Sequence, residues 1–393
     1  PREQIEAARL AGARGGRLWW QIILPLTSPG LIAGTAMAFV TALGNFGIPA
    51  MLGIPAGYAT LPTLVYQKLA GMGTSVLAEV SILAMLIGAV AVTGILTQRF
   101  FQSRQRVYLV GATSRPLAIP LGAARLPVEV LLWAVVCTIL VLPMFGLLAT
   151  SLVPAYGVPL RLDTVTLPAW AEVLLRQPVT TRAFANSFGL AIGAAVVLML
   201  LCLPLAWLME RNPTRLSRLF DSLLDLPYAL PGVVLSIAMI LLLIKLPFTD
   251  ATLYGTIWII FLAYLARFFA VMFRPVQASL KQLDPAMGEA AQSVGASLFQ
   301  RLRDVIVPLS APAAAAGAIL VFLTAFNELT VSALLWSSGT ETLGVVIFNL
   351  DDSGETAMAS ALAMTIVLVV MALMVLVQLM SRRFPKGVVP WQT

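Results

Sequence analysis

Histidine is absent from the chain's 393 residues. That absence excludes His-ligated metal sites, Ser-His-Asp triads and imidazole proton relays. Charge is scarce: Asp, Glu, Lys and Arg make up 11% of the chain, under half of the roughly 25% carried by a soluble domain. With 59% hydrophobic residues and a mean hydropathy of +0.92, a cytosolic enzyme is ruled out and a membrane protein is expected. Cysteine is nearly missing too. Cys137 and Cys202 lie far apart inside apolar runs, where they read as small buried hydrophobes and not as a disulfide framework. No Gly-x4-Gly-Lys-Ser/Thr phosphate loop occurs, nor even a Gly-Lys dipeptide, so ATP hydrolysis of that type is not expected in this chain.

What the chain does contain is long apolar runs. A span needs about 20 mostly apolar residues, and eight stretches satisfy this, near 31–52, 77–98, 128–150, 186–209, 227–246, 254–274, 312–335 and 358–380. None has the alternation of a barrel strand, so the expected fold is an all-α, polytopic membrane helix bundle. The net charge of +7 comes from basic residues spread through the connecting segments, without a patch that would suit nucleic acid. Sorted by side, segments 1–30, 99–127, 210–226, 274–311 and 381–393 hold 19 Lys and Arg, against 4 in 53–76, 151–185, 247–253 and 336–357. The first set is expected on the cytoplasmic face, with the C-terminus. The last outer segment is acidic, with Glu341, Asp351, Asp352 and Glu355. Residues 99–127 are basic and turn-rich, a cytoplasmic linker between 1–98 and 128–393.

A segment is duplicated at an offset of 283 residues. Glu6-Ala7-Ala8, Gly12 and Pro25 recur as Glu289-Ala290-Ala291, Gly295 and Pro308, and the match runs without a gap to Ala50 and Ala333. Residues 2–11 and 285–294 are strong helix formers with an acid near the N-terminal end, so each is expected to form a short cytoplasmic helix. Gly12 and Gly295 end that helix or permit a close contact. Pro25 and Pro308 suit the entrance of the following span. Small residues four apart, Gly30 with Gly34 and Ala313 with Gly317, suit close helix packing.

This pattern resembles the membrane-spanning subunits of binding-protein-dependent ABC importers, whose signature is EAA, three residues, Gly, nine residues, then Ile-x-Leu-Pro. Residues 6–25 match in full, and residues 289–308 match with Val305 and Val307 as conservative departures. Two copies in one chain look like a fused permease of the iron(III) branch, as do Phe46-Gly47-Ile48-Pro49-Ala50 and Leu226-Pro227-Tyr228-Ala229-Leu230-Pro231-Gly232. A fused member carries about six spans per half, so the resemblance implies about four further N-terminal spans and a first permease unit that ends in 1–98. It implies a bacterial inner-membrane location and an ATPase partner, a homodimer, that holds ATP and Mg. Glu6, Ala7, Ala8 and Gly12 would dock one ATPase subunit, and Glu289, Ala290, Ala291 and Gly295 the other. A periplasmic or lipid-anchored substrate-binding protein would deliver the cargo, expected to be ferric iron, with a polyamine, thiamine or a phosphonate as the alternative.

Asn45, Asn327 and Glu328 are polar residues inside apolar runs, and such residues face protein or water. They are candidates for the translocation path. Asn45 and Glu328 occupy equivalent positions in the two copies. Glu328 lies about 25 Å along its helix from Ala311, near the outer end, where it lines the path or reaches headgroup water. Arg267, toward the inner end of its run, either snorkels or pairs with an acid. The acidic outer segment is a candidate contact for the binding protein. No convincing ligand set for a metal is present. An intramembrane enzyme would need a convergent nucleophile and base, and an ATP-independent channel or carrier would not need the duplicated helix.

Overall fold

A computed structural model describes residues 2–13, 15–71, 76–104, 122–211, 214–224, 226–246 and 251–381. Most of the linker and the C-terminal basic residues Arg382, Arg383 and Lys386 lie outside them. Among the described residues the chain is helical and has no strand, in keeping with backbone polar groups that must be satisfied within each segment in lipid. It divides into two compact units, Pro1–Gly44 with Leu86–Phe145, and Asn45–Met85 with Gly146–Thr393. Packing therefore cuts the chain differently from the linker.

The elements begin with α1 (Arg2–Leu10), α2 (Gly15–Leu18), a π-helical turn Trp19–Ile23, and α3 (Leu24–Leu43). A π turn Pro49–Gly53, α4 (Leu61–Ala70), α5 (Val76–Arg104) and α6 (Arg125–Ser151) follow. Then come α7 (Pro168–Ala171), a π turn Glu172–Arg176, α8 (Pro178–Arg211), α9 (Arg215–Leu224), α10 (Leu226–Ala229), α11 (Gly232–Leu243) and α12 (Ile257–Gln282). The last stretch holds α13 (Pro285–Ser293), α14 (Leu298–Arg301), a π turn Leu302–Ile306, α15 (Val307–Phe326), α16 (Ser332–Leu335), α17 (Leu343–Asp352) and α18 (Thr356–Ser381).

Among the described residues six helical runs are long and apolar enough to cross a membrane, and the pair Gly15–Ser28 and Gly30–Leu43, bent by 58°, makes a seventh if it is one broken span and not a re-entrant loop. The expected count of about eight becomes six or seven because one run is too short, and two others end earlier than their apolar stretch. The 227–246 run is broken by extended Pro231 (φ −52°, ψ 137°), which leaves α11 with 12 residues, about 18 Å of helix against a hydrocarbon core of about 30 Å. The 31–52 run stops as an α-helix at Leu43, and its remainder holds the π turn Pro49–Gly53. Likewise 312–335 ends as a helix at Phe326.

In the first unit, α3 and α5 enclose an apolar cleft of about 680 Å³ lined by Leu31, Thr35, Phe39, Ala89 and Thr97. Gly94 makes the crossing possible, because a Cβ there would lie 3.1 Å from the Phe39 ring. Helix α6 exposes Leu131, Trp133, Ile139 and Leu140, as a helix apolar all round does when its neighbour is lipid. Cys137 lies on it and is exposed, contrary to expectation, whereas Cys202 is buried.

The second unit is built on α8, α12 and α15. Leu198 and Cys202, then Tyr264, Phe268, Met272 and Val276, then Val321 and Phe326 form its core, with the helical spacing of four along α12 placing one continuous stripe inward. Phe188 of α8 meets Phe326 of α15 at 4.8 Å between ring centroids. Gly317 lets α12 approach closely: a Cβ there would meet Met272 Sδ at 2.9 Å and its carbonyl oxygen at 3.3 Å. Gly30 and Gly34, the matching pair in the first copy, have nothing within 4 Å among the described residues.

Candidate functional site

The duplication in the sequence is a duplication of structure. Helices α1 and α13, α2 and α14, the π turns Trp19–Ile23 and Leu302–Ile306, and α3 and α15 all correspond at the same 283-residue displacement at both ends. The short helix ends identically in each copy. Gly12 has φ +88° and Gly295 has φ +83°, a conformation that costs a side-chain-bearing residue roughly 1–2 kcal/mol. Ala13 N–H donates to Ala8 O at 2.9 Å, and Ala296 N–H donates to Ala291 O at 3.1 Å, the six-to-one bond that closes a helix C-terminus. Among the described residues nothing lies within 4 Å of a Cβ at either glycine, so there the backbone turn, not a close contact, requires glycine.

Glu6 and Ala7 are exposed while Ala8 is buried, and Glu289 and Ala290 are exposed while Ala291 turns partly inward. Each copy thus presents an acid and a small residue outward on a short helix whose second alanine faces inward. Pro25 and Pro308 stand in the first turn of α3 and α15, as expected of a span entrance, and they also shape the turn before it. Pro25 and Pro308 follow helical residues directly, and because proline has no N–H for the carbonyl four residues back, the preceding turn widens. Leu24 N–H bonds to Trp19 O and Val307 N–H to Leu302 O.

The copies differ where this helix meets the span. Arg301 is buried and its Nη1 donates to Gln292 Oε1 at 2.8 Å, while Nε has no partner among the described residues. It borders a cavity of about 420 Å³ beside α13, along with Trp207, Arg211, Leu283, Met287 and Glu289. The equivalent position in the first copy is buried Leu18. Further out on the same unit, Asp221 of α9 accepts from Arg274 Nη1 at 2.7 Å and from Gln277 Nε2 at 3.1 Å. Burial pushes the Asp221 carboxyl up, but these donors outweigh it and leave the group below its usual range.

Asn45 and Glu328 perform one local task at equivalent places. Asn45 Oδ1 accepts from Ile48 N–H at 3.3 Å, and both Glu328 oxygens accept from Val331 N–H, at 3.0 and 2.9 Å. Both side chains accept from the backbone N–H three residues on and so brace the turn that follows a span. Glu328 is 6% exposed as a side chain, with Arg267 Nε 3.8 Å from its Oε1, so it does not reach headgroup water. Arg267 is paired with an acid, one of the two expected arrangements, ten residues after the start of α12. Its Nη1 also lies 3.4 Å from Leu230 O, and Gly232 makes room, because a Cβ there would meet Thr330 Cγ2 at 2.8 Å and Arg267 Nη1 at 3.1 Å. Asn327 is exposed and donates to Leu323 O at 3.0 Å. The Arg267–Glu328 pairing is the feature that sequence reasoning left open; two opposite charges inside apolar runs were its only signal.

The acidic segment is smaller than its sequence suggests. Glu341 accepts from Arg182 Nε at 2.9 Å and Nη2 at 3.1 Å, and this guanidinium holds its carboxyl below the usual range. Asn186 Nδ2 donates to Glu341 O at 2.9 Å, so the segment is tied to α8, and Asp352 and Glu355 remain exposed. Beside them, Tyr66, Phe46 and Phe348 form an aromatic cluster, and the Tyr66 phenol is pushed up by burial and then by Asp352. Among the described residues no three Asp, Glu or Cys side chains gather as a metal cage.

Residues 1–107 and 202–389 match the family described as "Binding-protein-dependent transport system inner membrane component". The chain is 28% identical over 98% of its length to "Probable ABC transporter permease protein y4fN" of Sinorhizobium fredii, of which it spans 68%. It is 26% identical over 89% of its length to "Fe(3+)-transport system permease protein FbpB 2" of Haemophilus influenzae, of which it spans 65%. A shorter match, 28% identical over 56% of the chain and 81% of the relative, is to the spermidine/putrescine transport system permease protein PotC of Escherichia coli. Among solved structures, a bacterial alginate ABC transporter in complex with an alginate pentasaccharide-bound periplasmic protein superposes with a TM-score of 0.53 at 18% identity, over 67% of this chain and 96% of that one. That likeness concerns the fold.

Proposed function

The chain belongs to the family of binding-protein-dependent transport system inner membrane components, and from that premise we infer that it is the fused, two-copy permease of an ATP-driven importer that passes ferric iron. The observation that carries the coupling half of this reading is the repeated helix, positive-φ glycine, π turn and span at one displacement. A protein moved by a pair of identical ATPase subunits needs two equal levers, and this chain repeats that geometry.

In this reading Glu6, Ala7, Ala8 and Gly12 seat in one ATPase subunit and Glu289, Ala290, Ala291 and Gly295 in the other. Exposed Glu6 and Glu289 supply charge, and exposed Ala7 and Ala290 leave room for a partner's surface. ATP and Mg act on the ATPase, and this chain transmits movement without making a bond. Nucleotide binding favours one arrangement of the spans because the closed ATPase pair holds the levers differently. Asn45 and Asn327 offer amides to the path, and Glu328, paired with Arg267, sets the turn that borders it. A binding protein at the outer face delivers the cargo.

Iron is favoured over the alternatives by coverage. The ferric relative aligns with 89% of the chain and the polyamine relative with 56%. The test is twofold. The full-length chain, purified in mild detergent, is expected to bring down an ATPase dimer, and the cognate binding protein is expected to retain ferric iron. Retention of a polyamine, thiamine or a phosphonate without ferric binding would move the cargo while leaving the permease reading in place. Purification with no ATPase would remove that reading.

A further inference from the structure

Two guanidinium groups of the second unit converge on one neutral oxygen. Arg301 Nη1 donates to Gln292 Oε1 at 2.8 Å and Arg211 Nη2 donates to the same atom at 3.5 Å, while the Trp207 ring centroid lies 5.6 Å from the Arg211 guanidinium carbon. Among the described residues no carboxylate lies within ion-pair distance of either arginine. Arg301 is 6% exposed and its Nε has no partner there. The bond to Gln292 uses Nη1, which leaves the side-on edge formed by Nε and Nη2. Arg182 grips both oxygens of Glu341 by that same edge, so a ligand that offers two oxygens of one anion fits it.

Both arginines line the cavity of about 420 Å³ beside α13, which lies wholly within the second unit. Helix α8 ends at Arg211, α12 ends at Gln282, and the run Leu298–Phe326 begins next to it, so one end of three helices long enough to cross a membrane meets here. Helix α8 has 34 residues, about 51 Å of helix, and therefore runs past a hydrocarbon core of about 30 Å into the headgroup layer. Leu280, Leu283, Ile306 and Leu309 make another part of the lining apolar. A ligand with an oxyanion head and an apolar body matches both parts, and basic pockets between spans at this level suit phospholipid heads. Acids decide which head. Glu210, Asp284 and Glu289 also line the cavity; Glu210 Oε1 has Lys281 Nζ at 3.5 Å, and Asp284 Oδ1 accepts from Ala286 N–H at 2.9 Å. Together they repel a head that is negative throughout and favour one that adds an ammonium to its phosphate.

We propose that this cavity binds one amine-bearing glycerophospholipid, of the phosphatidylethanolamine class, with its phosphodiester on the side-on edge of Arg301 and on Arg211 and its ammonium toward Asp284. The site belongs to the second short helix alone, because the position of Arg301 is buried Leu18 in the first copy. Gln292 stands on α13 and accepts from both arginines, so a phosphate that draws the two guanidinium groups together also fixes α13 against the end of α8. Lipid composition then sets the stiffness of one short helix and leaves the other unchanged. The proposal depends on the chain crossing a membrane, and neither its cargo nor its ATPase enters it.

The test places the full-length chain in phosphatidylcholine nanodiscs to which an equal share of phosphatidylethanolamine, phosphatidylglycerol or further phosphatidylcholine is added. Phosphatidylcholine keeps both charges but has no N–H to donate, and phosphatidylglycerol keeps the phosphate without an ammonium. Native mass spectrometry is expected to find one phosphatidylethanolamine retained at least fivefold more than either of the others. Hydrogen exchange over residues 285–294 should slow at least threefold with that lipid, while residues 2–11 do not respond. Arg301→Leu, which copies the first unit's Leu18, should abolish both preferences. Arg211→Gln, at an exposed position, guards against a variant that folds poorly and should weaken them. Equal retention of the three lipids, or a preference that survives both substitutions, overturns the proposal. Slowing by soluble phosphoethanolamine as large as that by the lipid overturns it in favour of a free phosphate ester. Slowing that appears only with the ATPase bound, and equally in every lipid, overturns it in favour of an ATPase carboxylate on Arg301.

Discussion

Loss of Arg267 should be far more damaging than loss of the Arg267–Glu328 pair as a whole. At 3.8 Å and an effective dielectric of about 20, the two charges attract by about 4 kcal/mol. Much of that offsets the desolvation of groups that are 20% and 6% exposed. Arg267→Leu leaves the carboxylate with backbone N–H donors alone, those of Thr330, Val331 and Ser332, an uncompensated buried charge that costs about 3–5 kcal/mol. Glu328→Gln keeps an oxygen for the cap and leaves the guanidinium unmatched beside Leu230 O, at a cost of about 1.5–3 kcal/mol. In the double variant no charge remains, so the cost should fall to about 1–2 kcal/mol, the lost donor to Leu230 O included.

Thermal unfolding of the detergent-purified chain, followed by tryptophan fluorescence, reads these differences. At about 2 °C per kcal/mol for a unit of this size, Arg267→Leu should lower the midpoint by about 6–10 °C. Adding Glu328→Gln to Arg267→Leu should recover most of that loss. Additive losses in the double variant, or an Arg267→Leu midpoint within about 1 °C of the parent, would refute a coupled buried pair.

Gly12→Val with Gly295→Val puts a β-branched residue at positive φ in both levers. Each helix end should lose roughly 1–2 kcal/mol and permease-stimulated ATP hydrolysis should fall sharply, while the spans keep their helical circular dichroism. Gly317→Val pushes into Met272 and should cost about 1–3 kcal/mol, seen as a lower melting midpoint, whereas Gly34→Val, with open space around it, should cost little of that kind. Arg301→Leu copies the first lever's Leu18 into the second, and should weaken hydrogen-exchange protection of α13 while leaving α1 unchanged. Acid should loosen the outer segment: the folded Glu341 carboxyl lies below its ordinary range because of Arg182, so its contribution is complete above the ordinary carboxylate value and is lost as pH falls through the folded one. Exchange at Leu343 N–H, bonded to Ser187 Oγ, reads this, and Glu341→Gln should abolish the pH dependence.

Membrane class and duplication are both written in local patterns, run length and a fixed displacement, so they could be read without knowing what touches what. The span count could not be read as easily. An apolar average over 227–246 hides Pro231, whose extended backbone sets α11 at 12 residues. The same averaging hides the stop at Leu43, because Phe46, Ile48, Met51 and Leu52 keep the window apolar across Gly44, Asn45, Gly47 and Pro49. The prolines at 25 and 308 mark the spans correctly, but sequence gives no reason to expect that each widens the turn before it, since that follows from where the preceding carbonyl points.

Site residues divide along the same line. Glu6, Ala7 and Gly12 sit in a helix whose exposure and termination are local properties, so their geometry follows from the motif. Glu328 and Arg267 are 61 positions apart, and Tyr66 and Phe348 are 282 apart; each pair is made by the packing of α12, α15 and the outer helices. Duplication also shows where one copy departs from the other: buried Leu18 of the first is Arg301 of the second, whose guanidinium donates to Gln292, so the same short-helix geometry is held to its span by apolar packing in one copy and by a hydrogen bond in the other.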